Sequence, residues 1–444
     1  MRTCPMERSC LLSLAIALPL LLVGNFLVSS ASAVVTFDWV TVGDLNNPAD
    51  TLVMTKGVTA DLTTGYGSVG YSYQIADKHV TNTHYTEFLN AVDPDGSEPH
   101  PILGNRNGIY NPNMSLSAIG ATGTAYTGGI DFIGANPAGS KYSVKSGQEN
   151  YPATWINWDS GARFVNWLHN GQGSGDTENG VYDMSIPRST IAGPLPRQAG
   201  ATVFIPSEDE FYKAAYYDPT KGGTGGYWEY GIQSNTAPVS GAPSGGATNA
   251  NYATAAGAAG SSGDTYWQNS GGLFDDSLDH LTDVGAYSSV TSYYGLYDAD
   301  GLIYQWTEGV KVHSLGADFP AYRGGGWHDS SERNGAAFRA LYSFRDVAAY
   351  AWFGLRIASP VPLTADFDGD GDVDGDDLTD PNDGWETRFG VDLDGMNFLD
   401  WQREFGTNVP PLLSAAQAVP EPSCLVLLTL AAAGVFYRQR RCAV

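Results

Sequence analysis

Cysteine is nearly absent from this chain: its four copies, Cys4, Cys10, Cys424 and Cys442, all lie near the two ends. A chain trimmed of those ends carries no thiol, which excludes disulfides, thiol catalysis and thiolate-bound metal. Positive charge is also scarce, with 23 Lys and Arg against 48 Asp and Glu and a net charge of −25. Such a field repels phosphate backbones and anionic membranes, so no nucleic-acid partner is expected. It suits a soluble external protein that binds cations. The sequence has no Gly-x-Ser-x-Gly element and no dinucleotide fingerprint, and the glycines of 222–226 lack the Gly-Lys-Ser/Thr ending of a phosphate loop. Histidines occur without His-x-x-His or His-x-Glu spacing.

What is present begins at the ends. Arg2 and Arg8 precede an apolar run over 10–28 that Pro19 and Asn25 interrupt, and Ala31-Ser32-Ala33 follows. A basic start, an apolar run and a small-x-small site are the parts of a signal peptide, here 1–33, and the expected partner is signal peptidase. At the other end Val419-Pro420-Glu421-Pro422-Ser423 leads into an apolar stretch over 424–437, and Arg438, Arg440 and Arg441 follow. The stretch is shorter than the roughly 20 residues of a spanning helix, and the arginines hold its end on the cytoplasmic side. This end resembles the PEP-CTERM sorting tail of Gram-negative bacteria. The resemblance implies transient membrane association, cleavage by an exosortase and delivery to the cell surface or extracellular matrix. The leader carries a net +1 and the tail a net +2, so trimming both takes −25 to −28.

Between the ends, 54 glycines and 12% aromatic residues describe a loop-rich globular protein whose rings supply much of the buried surface. No proline-rich or charged linker interrupts 34–360, although a Gly/Ala/Ser-rich tract over 240–272 reads as a surface insertion. Three helices are predicted. Thr81 caps the first, in which Tyr85, Phe88, Leu89 and Val92 form one apolar face. The second starts near Asp159, buries Phe164, Trp167 and Leu168, and stops at Asn170-Gly171. The third opens on a capping box of Ser207 and Glu210, with Phe211, Ala214 and Ala215 following.

In order along the chain, these elements carry a series of motifs. His79-Val80-Thr81-Asn82 through Tyr85 and Phe88-Leu89 looks like Glu-Val-Thr-Asn-x-x-Tyr-x-x-Phe-Leu. Trp155-Ile156-Asn157-Trp158 through Asn166-Trp167-Leu168 looks like Val-Ser-Trp followed by Trp-Leu. Phe204-Ile205-Pro206-Ser207-Glu208 with Glu210-Phe211 looks like Arg-Leu-Pro-Thr-Glu-x-Glu-Trp without its arginine. Tyr294-Gly295-Leu296-Tyr297-Asp298, Trp306-Thr307, Arg323-Gly324-Gly325-Gly326-Trp327, Arg339 and Gly354-Leu355-Arg356 complete the set. From Tyr73 to Ala358 the chain thus resembles the formylglycine-generating enzyme (sulfatase-modifying factor) family. The resemblance implies an α+β, irregular fold with little regular secondary structure, related to C-type lectins.

Active family members oxidise a sulfatase cysteine with oxygen, a copper ion and two cysteines of their own. Here those places are nearest Asp329 and Asn334, whose hard oxygens do not suit Cu(I) as a thiolate does. Copper and cysteine-dependent oxidation are therefore expected to be absent. Leu302 and Gln305 stand where the family has the asparagine and glutamate of a structural calcium site, which is expected to be lost or weak. A second family calcium site maps near Asn251 and Asp264. The candidate pocket is His328, Asp329, Glu332 and Asn334, an imidazole with two carboxylates able to bind metal or move protons, or else simply solvated.

After Pro360 the chain turns acidic. Residues 366–377 fit an EF-hand-type loop, with Asp366, Asp368, Asp370, Asp374 and Asp377 at positions 1, 3, 5, 9 and 12, the glycine at 6 and the Asp372 carbonyl at 7. With aspartate at position 12, the segment resembles a dockerin repeat, and one Ca2+ is expected. A second copy aligns Asp392-Leu393-Asp394-Gly395 with Asp372-Val373-Asp374-Gly375, and Trp401 with Trp385, but its front half is gone, since positions 1, 3 and 5 fall on Glu386, Arg388 and Gly390. The layout is a signal peptide over 1–33, the large domain over 34–360, a dockerin-like segment over 361–408, a linker over 409–420 and a sorting tail over 421–444. The expected function is a non-catalytic surface or matrix protein with a glycan or protein ligand. The competing expectation is a metal-dependent, oxygen-using enzyme that works without the family cysteines.

Overall fold

The computed structural model describes residues 34–56, 62–97, 108–117, 128–187, 189–254, 265–266, 272–273, 275, 278–312, 318–342, 345–346, 349–368 and 373–406. The signal peptide, linker and sorting tail, residues 255–264 (Asp264 included) and 267–271 of the insertion, Asp370 and Asp372 lie outside the described residues.

The three predicted helices form where their caps are written. In α1 (Asn82–Val92) the Thr81 hydroxyl accepts from the His84 N–H, and the His84 ring accepts from the Thr81 N–H in return. A histidine thus does the work that glutamate or glutamine usually does in a capping box. In α2 (Trp158–His169) the Asn157 side chain caps the start, and Gly171 in the left-handed region, φ 82°, ends it. Trp167 is buried there, whereas Leu168 is only half-buried. The capping box of α3 (Glu208–Tyr216) has both of its hydrogen bonds.

The strands that position the rest are β1 (Trp39–Val42), β2 (Tyr73–Ala76), β3 (Tyr304–Val312), β4 (Asp318–Arg323), β5 (Ala340–Leu341), β6 (Phe353–Gly354) and β7 (Ala358–Pro360). Strands β1 and β7 flank β2 in an antiparallel sheet, so the two ends of the large domain are tied together. The second sheet has the order β5-β4-β3-β6, with β6 parallel to β3.

Two tryptophan motifs lock α2 to β3. The Trp158 indole donates to the Thr307 carbonyl at 3.1 Å, and the Trp306 indole donates to the Ile156 carbonyl at 2.9 Å. Trp306 also stacks on Phe353, with centroids 4.5 Å apart. Rings of this size are buried without orphaned donors only when such partners exist.

The charged motif residues are consumed in the same way. Glu208 receives Arg323 at 2.7 Å and Arg339 at 2.7 and 2.8 Å, all three groups being buried. Burial raises the Glu208 pKa, but Arg339 and Arg323 outweigh it and hold the carboxyl below its usual range. Arg197 pairs with Glu210 at 2.9 Å and Glu308 at 2.6 Å. Its guanidinium lies 3.4 Å over the ring of Phe204, the residue that replaces the motif arginine. The missing guanidinium is supplied from elsewhere in the chain.

Buried carboxylates also set a pH dependence. Burial pushes Asp159, Asp209 and Asp298 up to about 6. Between the usual aspartate value of roughly 4 and that pH, the folded state holds more protons than the unfolded state, so stability falls as pH rises through the window. Glu208 and Glu210, held low, act oppositely, and only as pH falls below the usual glutamate range. Buried histidines held low, His79 and His84 among them, oppose this over the same interval. The aspartate effect is therefore read as a difference: the calorimetric midpoint of Asp298→Asn is expected to rise relative to that of the parent protein between pH 5 and pH 7 at fixed calcium, and a relative fall contradicts the assignment.

Within residues 363–368 and 373–406, Ala365, Phe367, Val373 and Leu393 form a separate small cluster, against which Leu363, Trp385 and Trp401 pack. Helices α4 (Ser331–Asn334), α5 (Asp376–Thr379), α6 (Trp385–Arg388) and α7 (Gly395–Glu404) complete the set used below. The Trp385 indole donates to the Asp394 carbonyl at 2.8 Å, and the Trp401 indole donates to the Asp374 carbonyl at 2.7 Å. Each half of the segment thus clamps the loop of the other. This reciprocity is the physical counterpart of the weak internal repeat.

Candidate functional site

Arg323 closes β4, and the chain then turns through Gly324 and Gly325, both with positive φ, at 96° and 71°. A Cβ on Gly325 would lie 1.7 Å from the Asn334 Oδ1. Glycine is required here so that the Asn334 side chain can fold back under the turn. Trp327 donates its N–H to the Leu302 carbonyl at 2.9 Å and stacks on His280, with centroids 5.0 Å apart.

The segment that follows is turned into the protein. Asp329 and Asn334 are fully buried, Ser330 is 2% exposed, and His328 lies against Trp352 with centroids 4.4 Å apart. Arg333 pairs with the Asp329 Oδ1 at 3.0 Å, and the His328 Nε2 lies 3.6 Å from the Asp329 Oδ2. Burial first, then the Asp329 charge, raises the Tyr304 hydroxyl well above its usual value, so it stays protonated. Neither the Asn334 amide atoms nor the Ser330 hydroxyl has a hydrogen-bond partner among the described residues.

The four sequence candidates are therefore split. His328, Asp329 and Asn334 come together in a buried polar cluster. Glu332 does not join them, since its side chain is 66% exposed and lies 3.5 Å from Lys56. The cluster's donors are carboxylate, amide and hydroxyl oxygens with one imidazole, a hard set that does not fit Cu(I). Sequence reasoning missed Tyr304 and Ser330 here, and Arg197 in the buried network. The gap at Phe204 was the one signal that a guanidinium must enter from elsewhere.

At the positions of the family's structural calcium, Leu302 is buried with Ala253, Leu281, Ile303 and Trp327. Its φ of 62° is the left-handed value that asparagine adopts more readily than leucine. The Gln305 Oε1 accepts from Arg356 at 2.6 Å. An apolar contact and a hydrogen bond thus occupy the two ligand positions. Asn251 donates to the His280 carbonyl at 2.9 Å.

Among the described residues, one group of three or more His, Cys, Asp or Glu side chains has ligand atoms within 4.8 Å of one another: Asp366, Asp368 and Asp377. The buried Asp377 is fixed by the backbone, its Oδ1 accepting from Phe367 at 2.6 Å and its Oδ2 from Asp374 at 2.7 Å. Asp374 Oδ1 accepts from the Asp376 N–H at 2.7 Å. Oxygens across a calcium ion, each at roughly 2.3–2.6 Å, lie up to about 5 Å apart, so this spacing fits the ion. In the second half Arg388 pairs with Asp392 at 2.8 Å.

Comparisons with known proteins follow the same division. A family model described as sulfatase-modifying factor enzyme 1-like domain matches residues 66–361, and one described as PEP-CTERM protein-sorting motif matches residues 418–441. Among solved structures, the crystal structure of CarF is similar at 16% identity, covering 74% of this chain and 99% of that one, with a TM-score of 0.39. PvdO from Pseudomonas aeruginosa is similar at 14% identity, covering 73% and 94%, with a TM-score of 0.38. Treponema denticola variable protein 1 is similar at 14% identity, covering 73% and 95%, with a TM-score of 0.36. Among curated proteins none matches.

Proposed function

Since the chain belongs to the sulfatase-modifying factor enzyme 1-like family and ends in a PEP-CTERM sorting motif, we propose that it keeps the family scaffold for binding or structure and not for catalysis. The sorting motif makes it an exported protein of a Gram-negative bacterium, processed by an exosortase. Its destination in this reading is the cell surface or the extracellular matrix.

One observation carries the proposal. The positions that correspond to the family's two cysteines hold Asp329 and Asn334, both fully buried. Oxidation of a substrate cysteine needs a soft thiolate pair and an approach for the peptide. Asp329 offers a hard carboxylate already paired with Arg333. The motif residues Glu208, Arg323, Arg339, Arg356 and Trp306 each have architectural partners, so their retention needs no reaction to explain it. The competing enzyme reading draws on the nearness of His328 to Asp329. It lacks a second carboxylate, because the Glu332 side chain is 66% exposed and lies toward Lys56.

Residues 361–408 serve in this reading as a dockerin-like calcium module. Asp366, Asp368 and Asp377 would hold the ion, with Asp370, Asp374 and the Asp372 carbonyl completing the loop. Calcium supplies charge neutralisation that lets these carboxylates share one site. The function is tested by giving the purified exported protein Cu(I), oxygen and a cysteine-containing peptide. The peptide is expected to remain unmodified.

A further inference from the structure

A groove of about 590 Å³ lies where the chain entering β1, the turn from β2 into α1 and residues 283–286 meet. That volume falls within the roughly 300–1,000 Å³ of small-molecule sites. None of the residues 327–334 contributes to it.

His79 lines this groove and is itself 1% exposed. Neither of its ring nitrogens has a hydrogen-bond partner among the described residues. A buried donor and acceptor left in that state destabilise the fold, and a site that tolerates them is one where a ligand can complete them. Burial first, and the Arg356 charge second, hold the His79 pKa well below the usual histidine value. The ring is therefore neutral, with one nitrogen donating and the other accepting.

The rest of the groove narrows the ligand class. Asp38, Asp77 and Asp283 stand against Lys78 alone, and Lys78 is already engaged by Asp77 at 2.5 Å and by Asp38 at 3.4 Å. The start of α1 offers no donor to an anion, because the N–H groups of Asn82, Thr83 and His84 go to the Tyr151 carbonyl, the Glu149 carbonyl and the Thr81 hydroxyl. An anion thus meets excess carboxylate. A cation that reached His79 would meet the charge of Arg356. What remains is a neutral ligand rich in hydroxyls, which donate to carboxylates and both give to and take from a neutral imidazole. The rings of Phe37 and His84, meeting edge to face at 4.7 Å, supply an apolar wall.

We infer that this groove binds a neutral saccharide unit, with the carboxylates of Asp38, Asp77 and Asp283 accepting from its hydroxyls and the His79 ring, whose nitrogens are closed off in the free protein, turning to meet one of them on binding. The inference rests on the reading of the domain as a binder and names its site and ligand class.

The test is saturation-transfer NMR and titration of the full exported protein with methyl β-D-glucopyranoside, methyl β-D-galactopyranoside and methyl α-D-mannopyranoside, with putrescine and citrate as charged probes. At least one glycoside is expected to bind saturably. His79→Phe is expected to weaken it by about tenfold or more while leaving the melting midpoint unchanged or higher, since it removes two unpartnered polar atoms. Asp283→Asn, at an exposed position, is expected to weaken it severalfold. Glycoside binding unchanged in both variants would overturn the groove assignment and leave the binder reading standing. Binding of putrescine or citrate in place of the glycosides, or of no glycoside, would overturn the saccharide inference; turnover of a cysteine peptide would overturn the binder reading itself.

Discussion

Replacing Glu208 with alanine is expected to destabilise the large domain by about 3–5 kcal/mol, because it strands two buried guanidinium groups at once. Arg323 and Arg339 converge on this carboxylate from β4 and from the segment before β5, with Arg323 fully buried and Arg339 5% exposed. Removing one partner of a buried pair costs more than the pair contributes, since the remaining charges lose both water and counter-ion. Arg323 keeps its bonds to the Ala336 and Phe338 carbonyls, at 3.1 and 2.9 Å, which satisfy its donors without neutralising its charge. Glu208→Gln preserves acceptor geometry on one atom and is expected to lose less. Urea unfolding of the three proteins separates these cases. A loss below about 1 kcal/mol for the alanine variant would place this network among dispensable surface pairs.

Asp377→Ala is expected to abolish the calcium response of residues 363–406. This side chain combines the position-12 ligand of the proposed loop with backbone anchors to Phe367 and Asp374. In the intact protein, calcium near 10⁻⁴ to 10⁻³ M should protect the amides of the segment from hydrogen exchange. The variant should show low protection with or without the ion, and no calorimetric binding. Equal heats in the two proteins would mean that the ion sits elsewhere or does not bind.

Caps and apolar periodicity made α1, α2 and α3 readable, because local hydrogen bonds at Thr81, Asn157 and Ser207 decide where those helices begin. The sheets were not readable. Their strands are short, and β1, β2 and β7 pair across most of the domain's length, so no local pattern reports the register. The family motifs located the large domain, yet they pointed toward chemistry where the structure uses them for support. Trp306, Arg323 and Arg339 turn out to be partners of Ile156 and Glu208. The candidate pocket was legible at Asp329 and Asn334 through alignment alone. That Glu332 faces outward follows from the short helix α4, whose turn separates it from Asn334. Nothing in the spacing of Thr36 to Asp38, His79 and Asp283 signals that they share a groove, since only the tertiary fold brings them together.

In the proposed reading the scaffold has outlived the reaction. The most direct measurement is mass spectrometry of a cysteine-containing peptide after incubation with the purified protein, Cu(I) and oxygen. The expected result is a peptide of unchanged mass and copper that washes away. Conversion of the cysteine to formylglycine, with copper retained in stoichiometric amount, would contradict it.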